Sequence, residues 1–124
     1  MPKIDRFINR ARRHLGPNEG LVATVVGREA GGRRRTAIVA TDARILLVTL
    51  RPEPPVEVSY RDLEIDVSAP GGSAEIVLRG PDGSHGVDRI GDATGARLFA
   101  TLVRQRLAAR ERPVTPPRVE IVAL

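Results

Sequence analysis

Three kinds of residue are absent or scarce in this sequence, and each shortage excludes something. The chain has no cysteine, which excludes a disulfide framework, a thiolate metal site and a cysteine nucleophile. Aromatic residues make up 2% of it, namely Phe7, Phe99 and Tyr60. Its core must therefore be built from valine, isoleucine, leucine and alanine. Nucleic-acid binding through stacked aromatic rings is disfavoured for the same reason.

Long apolar runs are also missing. No run approaches the roughly 18 residues that cross a bilayer as a helix. The N-terminal residues lack the continuous apolar region of a signal peptide. We therefore expect a cytoplasmic protein, with peripheral contact to a membrane as an alternative.

The composition is that of a compact globular domain. Of the 124 residues, 41% are hydrophobic and 28% are charged, and a chain of this length buries a core without disulfides or metal. We predict one domain over residues 3–112. Residues 113–124 are predicted to be a proline-rich spacer and an apolar tail, which pairs with a sheet edge of the same or a neighbouring molecule. The alternative is a disordered terminus.

Hydrophobic periodicity predicts a helix near each end and strands between them. Apolar residues recur at three- and four-residue spacing over residues 3–15, and again after the N-cap residue Asp92 to about residue 110. Seven short apolar or alternating segments lie between them, separated by turn residues: 21–28, 35–40, 45–48, 56–60, 63–67, 74–79 and 85–90. This order predicts a mainly β fold, α+β by content, in which an antiparallel sandwich or barrel carries helical caps.

Three short segments, residues 38–48, 15–19 and 58–63, together resemble those of bacterial pleckstrin-homology-like (PH-like) domains, including the YokE-like kind. Residues 38–48 resemble the family's "LTDRRLLFV"-like segment. Residues 15–19 are similar to its "L-x-P-G-E" opening, and residues 58–63 to its "I-P-Y-x-D-I" strand and turn. A terminal helix beginning near Asp92 matches the family's capping helix.

The resemblance implies a strongly bent, seven-stranded antiparallel sheet with an N-terminal helix, closed at one end by a C-terminal helix. Within it, we expect the side-chain oxygen of Asp42 to cap the turn between the second and third strands. Arg44 is expected to pair with Asp42 or Asp62. Tyr60 is expected to bury its ring and keep its hydroxyl at the surface.

The same resemblance implies a non-catalytic binding or scaffolding module and no enzyme. A protein partner, or self-association, is the function expected first. Peripheral binding to anionic lipid is an alternative, and nucleic-acid binding is a further one. No small-molecule substrate is implied, and a shared fold is weak grounds for assigning a ligand.

Motifs for phosphate-loop chemistry are incomplete. A G-x-x-x-x-G run begins at Gly27, but Arg33 and Arg34 stand where lysine and serine or threonine are required. A strand also follows where a helix is needed. We therefore interpret this run as a hairpin turn and expect no cofactor.

Catalytic and metal-binding groups are scattered. His14 and His85 lie far apart and lack cysteine partners, so no metal site is predicted. Ser84 and His85 are neighbours on a predicted strand and should point to opposite faces. Glu64 and Asp66 share one face of a strand, which favours a solvated outer surface over acid–base work. No catalytic residue is predicted.

Arginine dominates the positive charge, because Lys3 is the only lysine in a chain of net charge +5. The predicted first hairpin gathers four arginines around a Gly-Gly turn, where lipid-binding members of the resembled family collect basic residues. The candidate anion-binding residues are therefore Arg28, Arg33, Arg34 and Arg35. The alternative is a soluble hairpin tip in an arginine-rich proteome.

The leading helix is the second basic element. Arg6, Arg10 and Arg13 lie largely off its apolar stripe, which makes it a candidate membrane-binding or partner-binding helix. The alternative is that the stripe packs on the helix's own domain.

Overall fold

The computed structural model describes residues 3–111. An N-terminal helix precedes seven strands, and a longer helix follows them. A short 3-10 turn at Pro70–Gly72 separates the fifth and sixth strands. The elements are α1 Lys3–Arg12, β1 Leu21–Glu29, β2 Arg35–Thr41, β3 Ile45–Val48, β4 Val56–Val58, β5 Glu64–Ser68, β6 Ala74–Gly80, β7 Gly83–Ile90 and α2 Ala93–Glu111. All seven predicted strands and both predicted helices are confirmed.

The strands form one antiparallel sheet in the order β4-β3-β2-β1-β7-β6-β5. Each neighbouring pair is consecutive in sequence except β1 and β7, which meet over two register positions. Inward residues from both halves of the sheet, including Ile45 and Ile76, join the same buried cluster. The sheet is therefore bent around a common interior, as the resemblance implied.

The main core fills that interior and is closed by α2. Phe99 and Val103 of α2 are buried against inward residues of the strands, and α2 packs on β1, β5 and β6. Of the nine apolar residues that alternation and helical spacing favour for one core, six are buried in it: Ile38, Ile45, Leu63, Ile65, Phe99 and Val103. Leu47 and Val67 pack partly buried against it, while Leu102 is half-buried.

A second buried cluster lies on the outer face of the sheet, under α1. Phe7 and Ala11 of α1 pack on outward residues of β2 and β3, among them Val39 and Leu46. Strand β2 is thus buried on both faces, which explains its nearly continuous apolar sequence. The apolar stripe of the leading helix therefore packs on its own domain, although the helix ends at Arg12 and not at residue 15.

Within residues 3–111, no helix is long and apolar enough to cross a bilayer. The prediction for the spacer and tail, residues 113–124, lies outside the described residues. The division into a domain at residues 3–112 and a tail at 113–124 therefore stays a prediction.

Candidate functional site

The hairpin between β1 and β2 does not keep its four arginines together. Arg28 stands directly opposite Arg35 in the register of the two strands. Arg33 is exposed at the tip. Arg34 is tied to Glu53 of the β3–β4 loop, with 2.7 Å between Nη1 and Oε1. The predicted cluster is therefore split, and Arg28 and Arg35 alone share a face.

A third arginine, which sequence reasoning missed, joins Arg28 and Arg35. Arg89 lines the same pocket of about 350 Å³, together with Val26 and Gly27. We call this the arginine pocket. The arginine pocket lies on the outer face of the sheet, because Val26 packs against the buried cluster under α1. Thr36, the neighbour of Arg35 on β2, lines a different pocket on the inner face of the sheet.

A bulge in β7 brings Arg89 to that pocket. The pairing of β6 with β7 shifts register between Ala74 and Ile76, which face Ile90 and Val87 respectively. Arg89 lies in the extra stretch with a φ of 53°, in the left-handed region that non-glycine residues seldom adopt. Bulges of this kind redirect a side chain, and no sequence signal marks this one.

The three arginines of the arginine pocket have no ionic partner in the described part of the chain. The ion pairs there involve Arg34, Arg44, Arg61 and Arg79. Asp88 faces Arg28 in the register but forms no ion pair with it. Its buried Oδ1 has no hydrogen-bond partner within residues 3–111. Three arginines without an ionic partner among residues 3–111 thus line one pocket, and their like charges favour an anion there.

A second pocket, of about 530 Å³, opens at the end of the bent sheet where the β1–β2 hairpin, the β3–β4 loop and the start of β7 meet. We call this the mouth pocket. Its apolar lining includes Leu47, Val56 and Val87, and Thr36 and Thr49 add hydroxyl groups. No residue of α2 lines it.

The charges of the mouth pocket are balanced differently from those of the arginine pocket. Glu29, Arg34 and Glu53 line it. Arg34 is held by Glu53, whose Oε1 also accepts a hydrogen bond of 3.0 Å from the Thr49 hydroxyl. Glu53 therefore neutralises the charge of Arg34, and Glu29 adds a further negative charge. For this reason the mouth pocket does not favour an anion.

Ser84 and His85 both line the mouth pocket. They pair in unbroken register with Arg79 and Leu78 of β6, which keeps the alternation of side chains between the two faces that the sequence predicts. No hydrogen bond joins their side chains in the described structure. Glu64 and Asp66 are exposed as expected, and Asp66 pairs with Arg79. Residues 3–111 contain no group of three or more potential metal ligands.

The leading helix uses one of its candidate arginines for structure. Arg10 donates hydrogen bonds to the carbonyl oxygens of Leu50, at 3.2 Å, and Arg51, which fastens α1 to the β3–β4 loop. Arg6 and Arg13 are exposed. The three do not form one site.

Two of the segments that resemble the family's motifs, residues 15–19 and 38–48, meet at Arg44. Its guanidinium binds Glu19 with two hydrogen bonds of 3.0 Å and Glu57 with one, and it donates to the His14 carbonyl. The expected pairing with Asp42 or Asp62 was therefore wrong. Glu19 pairs with Arg44 in preference to these two aspartates, because its side chain is only 7% exposed and both of its carboxylate oxygens accept hydrogen bonds from the guanidinium.

Two further expectations at this network were wrong. The hydroxyl of Thr41, and not Asp42, caps the β2–β3 turn by accepting from the amides of Ala43 and Arg44. The Asp42 carboxylate instead accepts from the Gly20 amide. Tyr60 is buried, and its hydroxyl donates to the Thr41 carbonyl. The Thr41 carbonyl at the start of the β2–β3 turn thus accepts the hydrogen bond of the buried Tyr60 hydroxyl.

Hydrogen bonding sets the ionisation of Glu19. The bonds from Arg44 hold its pKa at about 2, below the usual 4.5, against the opposing effect of burial. The Thr41 hydroxyl and the Gly16 amide also contribute to this lowering of the pKa. Glu19 in turn raises the pKa of Arg44. The network joins the connection between α1 and β1, the β2–β3 turn and β4, so its contacts hold the fold together.

No family model matches the chain, and no curated protein matches it. Among solved structures, it is similar to a DUF1696 family protein with a pleckstrin-homology domain from Shewanella loihica, with a TM-score of 0.53. The two are 18% identical, and the match covers 82% of this chain and 96% of that one. The fold is PH-like.

This similarity confirms the fold that the sequence segments implied, and it extends to the fold alone. Membership of the YokE-like kind stays a prediction. In this PH-like domain, α2 closes the interior, the mouth pocket opens among the strand ends, and the arginine pocket lies on the outer face.

Proposed function

We propose that this PH-like domain is a non-catalytic module that binds an extended segment of a protein partner along β4 and over the mouth pocket. Val56 carries the proposal, because it belongs to both features. It begins β4, which pairs with β3 on one side and forms an edge of the sheet on the other. It also lines the mouth pocket, with 47% of its surface exposed.

Strand addition explains how such an edge would bind. An extended segment makes main-chain hydrogen bonds with an open strand edge, and its alternate side chains point to the same face. Beside β4, that face is the mouth pocket, whose volume falls in the range of roughly 300–1,000 Å³ found for binding pockets. Leu47, Val56 and Val87 suit an apolar side chain of the partner.

The charges at the mouth favour one kind of partner. Glu29 and Glu53 stand there against Arg34. Complementary charge at the rim of an interface steers association and discriminates between partners. A segment with an apolar anchor flanked by lysine or arginine is therefore favoured over an acidic segment.

Two other functions have less support. Nucleic-acid binding is disfavoured, because no aromatic side chain lines either pocket for base stacking. The absence of catalysis remains part of this proposal, and it is supported by the lack of a hydrogen bond between the Ser84 and His85 side chains in the described structure.

Peptide display tests the proposal. Random peptides are selected on the immobilised wild-type protein, and the affinity of the best binders is measured by calorimetry. We expect binders with an apolar anchor and basic flanks. Val56→Asp should weaken them by about tenfold or more, because it places a charge at the centre of the contact.

Leu98→Asp is the matched control. Leu98 is an exposed apolar residue of α2, 57% exposed, and it does not line the mouth pocket. Its replacement should leave peptide affinity within about twofold, since substitutions outside a contact are usually near neutral. Selection of no peptide, or equal losses in the two variants, would contradict the proposal.

A further inference from the structure

The arginine pocket brings together three cations that remain available. Arg34, Arg44 and Arg79 are each held by a carboxylate, and Arg10 and Arg104 donate to backbone carbonyls. Arg28, Arg35 and Arg89 have neither kind of partner within residues 3–111. They line one pocket together.

Keeping these three side chains together costs free energy in the unliganded protein. Arg28 and Arg35 are directly opposed across the hairpin, and like charges in that position are destabilising. Arg89 adds a left-handed backbone conformation that is unfavourable for a residue with a Cβ atom. Costs of this kind are typical of positions whose geometry serves a ligand.

We infer that the arginine pocket binds a phosphate group. Guanidinium groups present pairs of N–H donors that match the oxygens of phosphate, and three of them surround a group that offers oxygens in several directions. The exposed Arg33 lies at the tip of the same hairpin and adds to the positive potential. The phosphate is carried either by a lipid head group or by a small soluble molecule, and the chemistry of recognition is the same.

Neighbouring groups limit the site to those three residues. Arg34 points to the mouth pocket and is held by Glu53. Asp88 is the nearest carboxylate in the register, opposite Arg28, and it makes no ion pair with the three arginines. No aromatic residue lines the pocket. A phosphate bound here is therefore recognised by charge and hydrogen bonds, without stacking of an attached base.

Two binding measurements separate the sources of the phosphate. Calorimetry with inorganic phosphate and with glycerol phosphate reports a soluble ligand. Co-sedimentation with phosphatidylcholine vesicles, with and without phosphatidic acid, reports a lipid head group. We expect saturable binding in at least one of these at low ionic strength, weaker at physiological ionic strength because salt screens exposed charges.

Matched variants locate the site. Replacing Arg28, Arg35 and Arg89 together by Gln should weaken binding by about tenfold or more, given the strength of hydrogen bonds to charged groups. The control replaces Arg12, Arg97 and Arg106 by Gln. These residues are exposed and do not line the pocket, and the change in net charge is the same. The control should lose no more than about twofold, the small effect expected of rim charges.

Arg89→Gly separates an effect on phosphate binding from an effect on stability. Glycine accepts a φ of 53° without strain, so this variant should melt at the wild-type temperature or above it while binding phosphate more weakly. Absence of binding by the wild type at low ionic strength would overturn the inference. So would equal losses in the two triple variants, or preferential binding of single-stranded DNA that the Arg28, Arg35 and Arg89 variant retains.

Discussion

Among single residues, Arg44 illustrates how a motif gains its meaning from its partners. Its guanidinium donates hydrogen bonds to three residues distant in sequence: Glu19, which precedes β1, Glu57 on β4 and the carbonyl of His14. A guanidinium with its donors occupied in this way fixes three chain segments in one geometry. Resemblance at these positions therefore reports the fold, and the network offers nothing free for a ligand.

Acid should remove the contribution of this network. Because the folded protein holds the pKa of Glu19 at about 2, below the usual 4.5, Glu19 stabilises the fold at pH values above 4.5. That contribution is lost as the pH falls through about 2. Glu19→Gln should lower the free energy of unfolding at neutral pH by about 1.5–3 kcal/mol, as for hydrogen bonds to charged groups. Denaturant titrations at several pH values measure the difference between wild type and variant.

The difference between wild type and Glu19→Gln should shrink as the pH falls from 4.5 toward 2. Glu64→Gln serves as the comparison, because Glu64 is exposed and forms no ion pair in the described structure. Its effect should stay within about 0.5 kcal/mol at every pH. A Glu19→Gln difference that does not change with pH would show that the carboxylate charge contributes nothing.

At the level of elements, the contact of β1 with β7 determines how sharply the sheet bends. The two strands pair over only two positions, and Gly27 lies just before them on β1. A Cβ atom at Gly27 would lie 2.4 Å from the Asp88 carbonyl oxygen and 2.7 Å from side-chain atoms of Val87 and Ile90. The absence of a side chain at Gly27 thus permits the close approach of β1 to β7. Gly27 therefore has a packing role, although its spacing from Gly32 resembles that of a phosphate-binding loop.

Gly27→Ala should therefore destabilise the protein. The clash includes a backbone atom, so β7 must move away from β1, and we expect the free energy of unfolding to fall by about 1–3 kcal/mol or more. Gly32→Ala is the control, since a Cβ atom there meets the Glu29 side chain at 3.4 Å in ordinary contact. It should change stability by less than about 0.5 kcal/mol. Chemical denaturation that finds the two variants alike would contradict this role of Gly27.

Both helices are amphipathic, and the structure gives them different tasks. α1 covers the outer faces of β2 and β3, and α2 closes the interior. Periodicity predicted both helices and their apolar faces, because spacing of three and four residues is a property of the local chain. It did not predict two separate cores, because which face of a sheet a helix covers depends on packing between distant segments.

At the scale of the whole molecule, the prediction concerns the C-terminal tail. The alternation of apolar residues over 118–124 predicts a strand that pairs with a sheet edge, and the described sheet ends at β4 and β5. Deletion of residues 113–124 should therefore lower either the mass in solution, if the tail joins two molecules, or the melting temperature, if it docks on its own domain. Light scattering and a thermal melt measure both. If neither changes, the tail is not docked.

The candidate sites were predicted from the sequence in part. Two of the four hairpin arginines, Arg28 and Arg35, do share a pocket, since a hairpin brings its strands together by local pairing. Arg34 does not join this cluster, because it forms an ion pair with Glu53, which lies 19 positions away in the sequence. Arg89 was missed because its orientation depends on a bulge in β7. The mouth pocket was missed because it exists only where five strands converge.

The sequence by itself determined the order and type of the elements, the bent sheet with its two helices, and most of the residues in the main core. These follow from periodicity, turn residues and short motifs, which act over a few neighbouring positions. Tertiary structure alone decided which arginines are neutralised and which are available, because that depends on distances of a few ångströms between side chains far apart in the chain. Composition made this protein basic, and folding placed three of its arginines around one pocket with no ionic partner among residues 3–111.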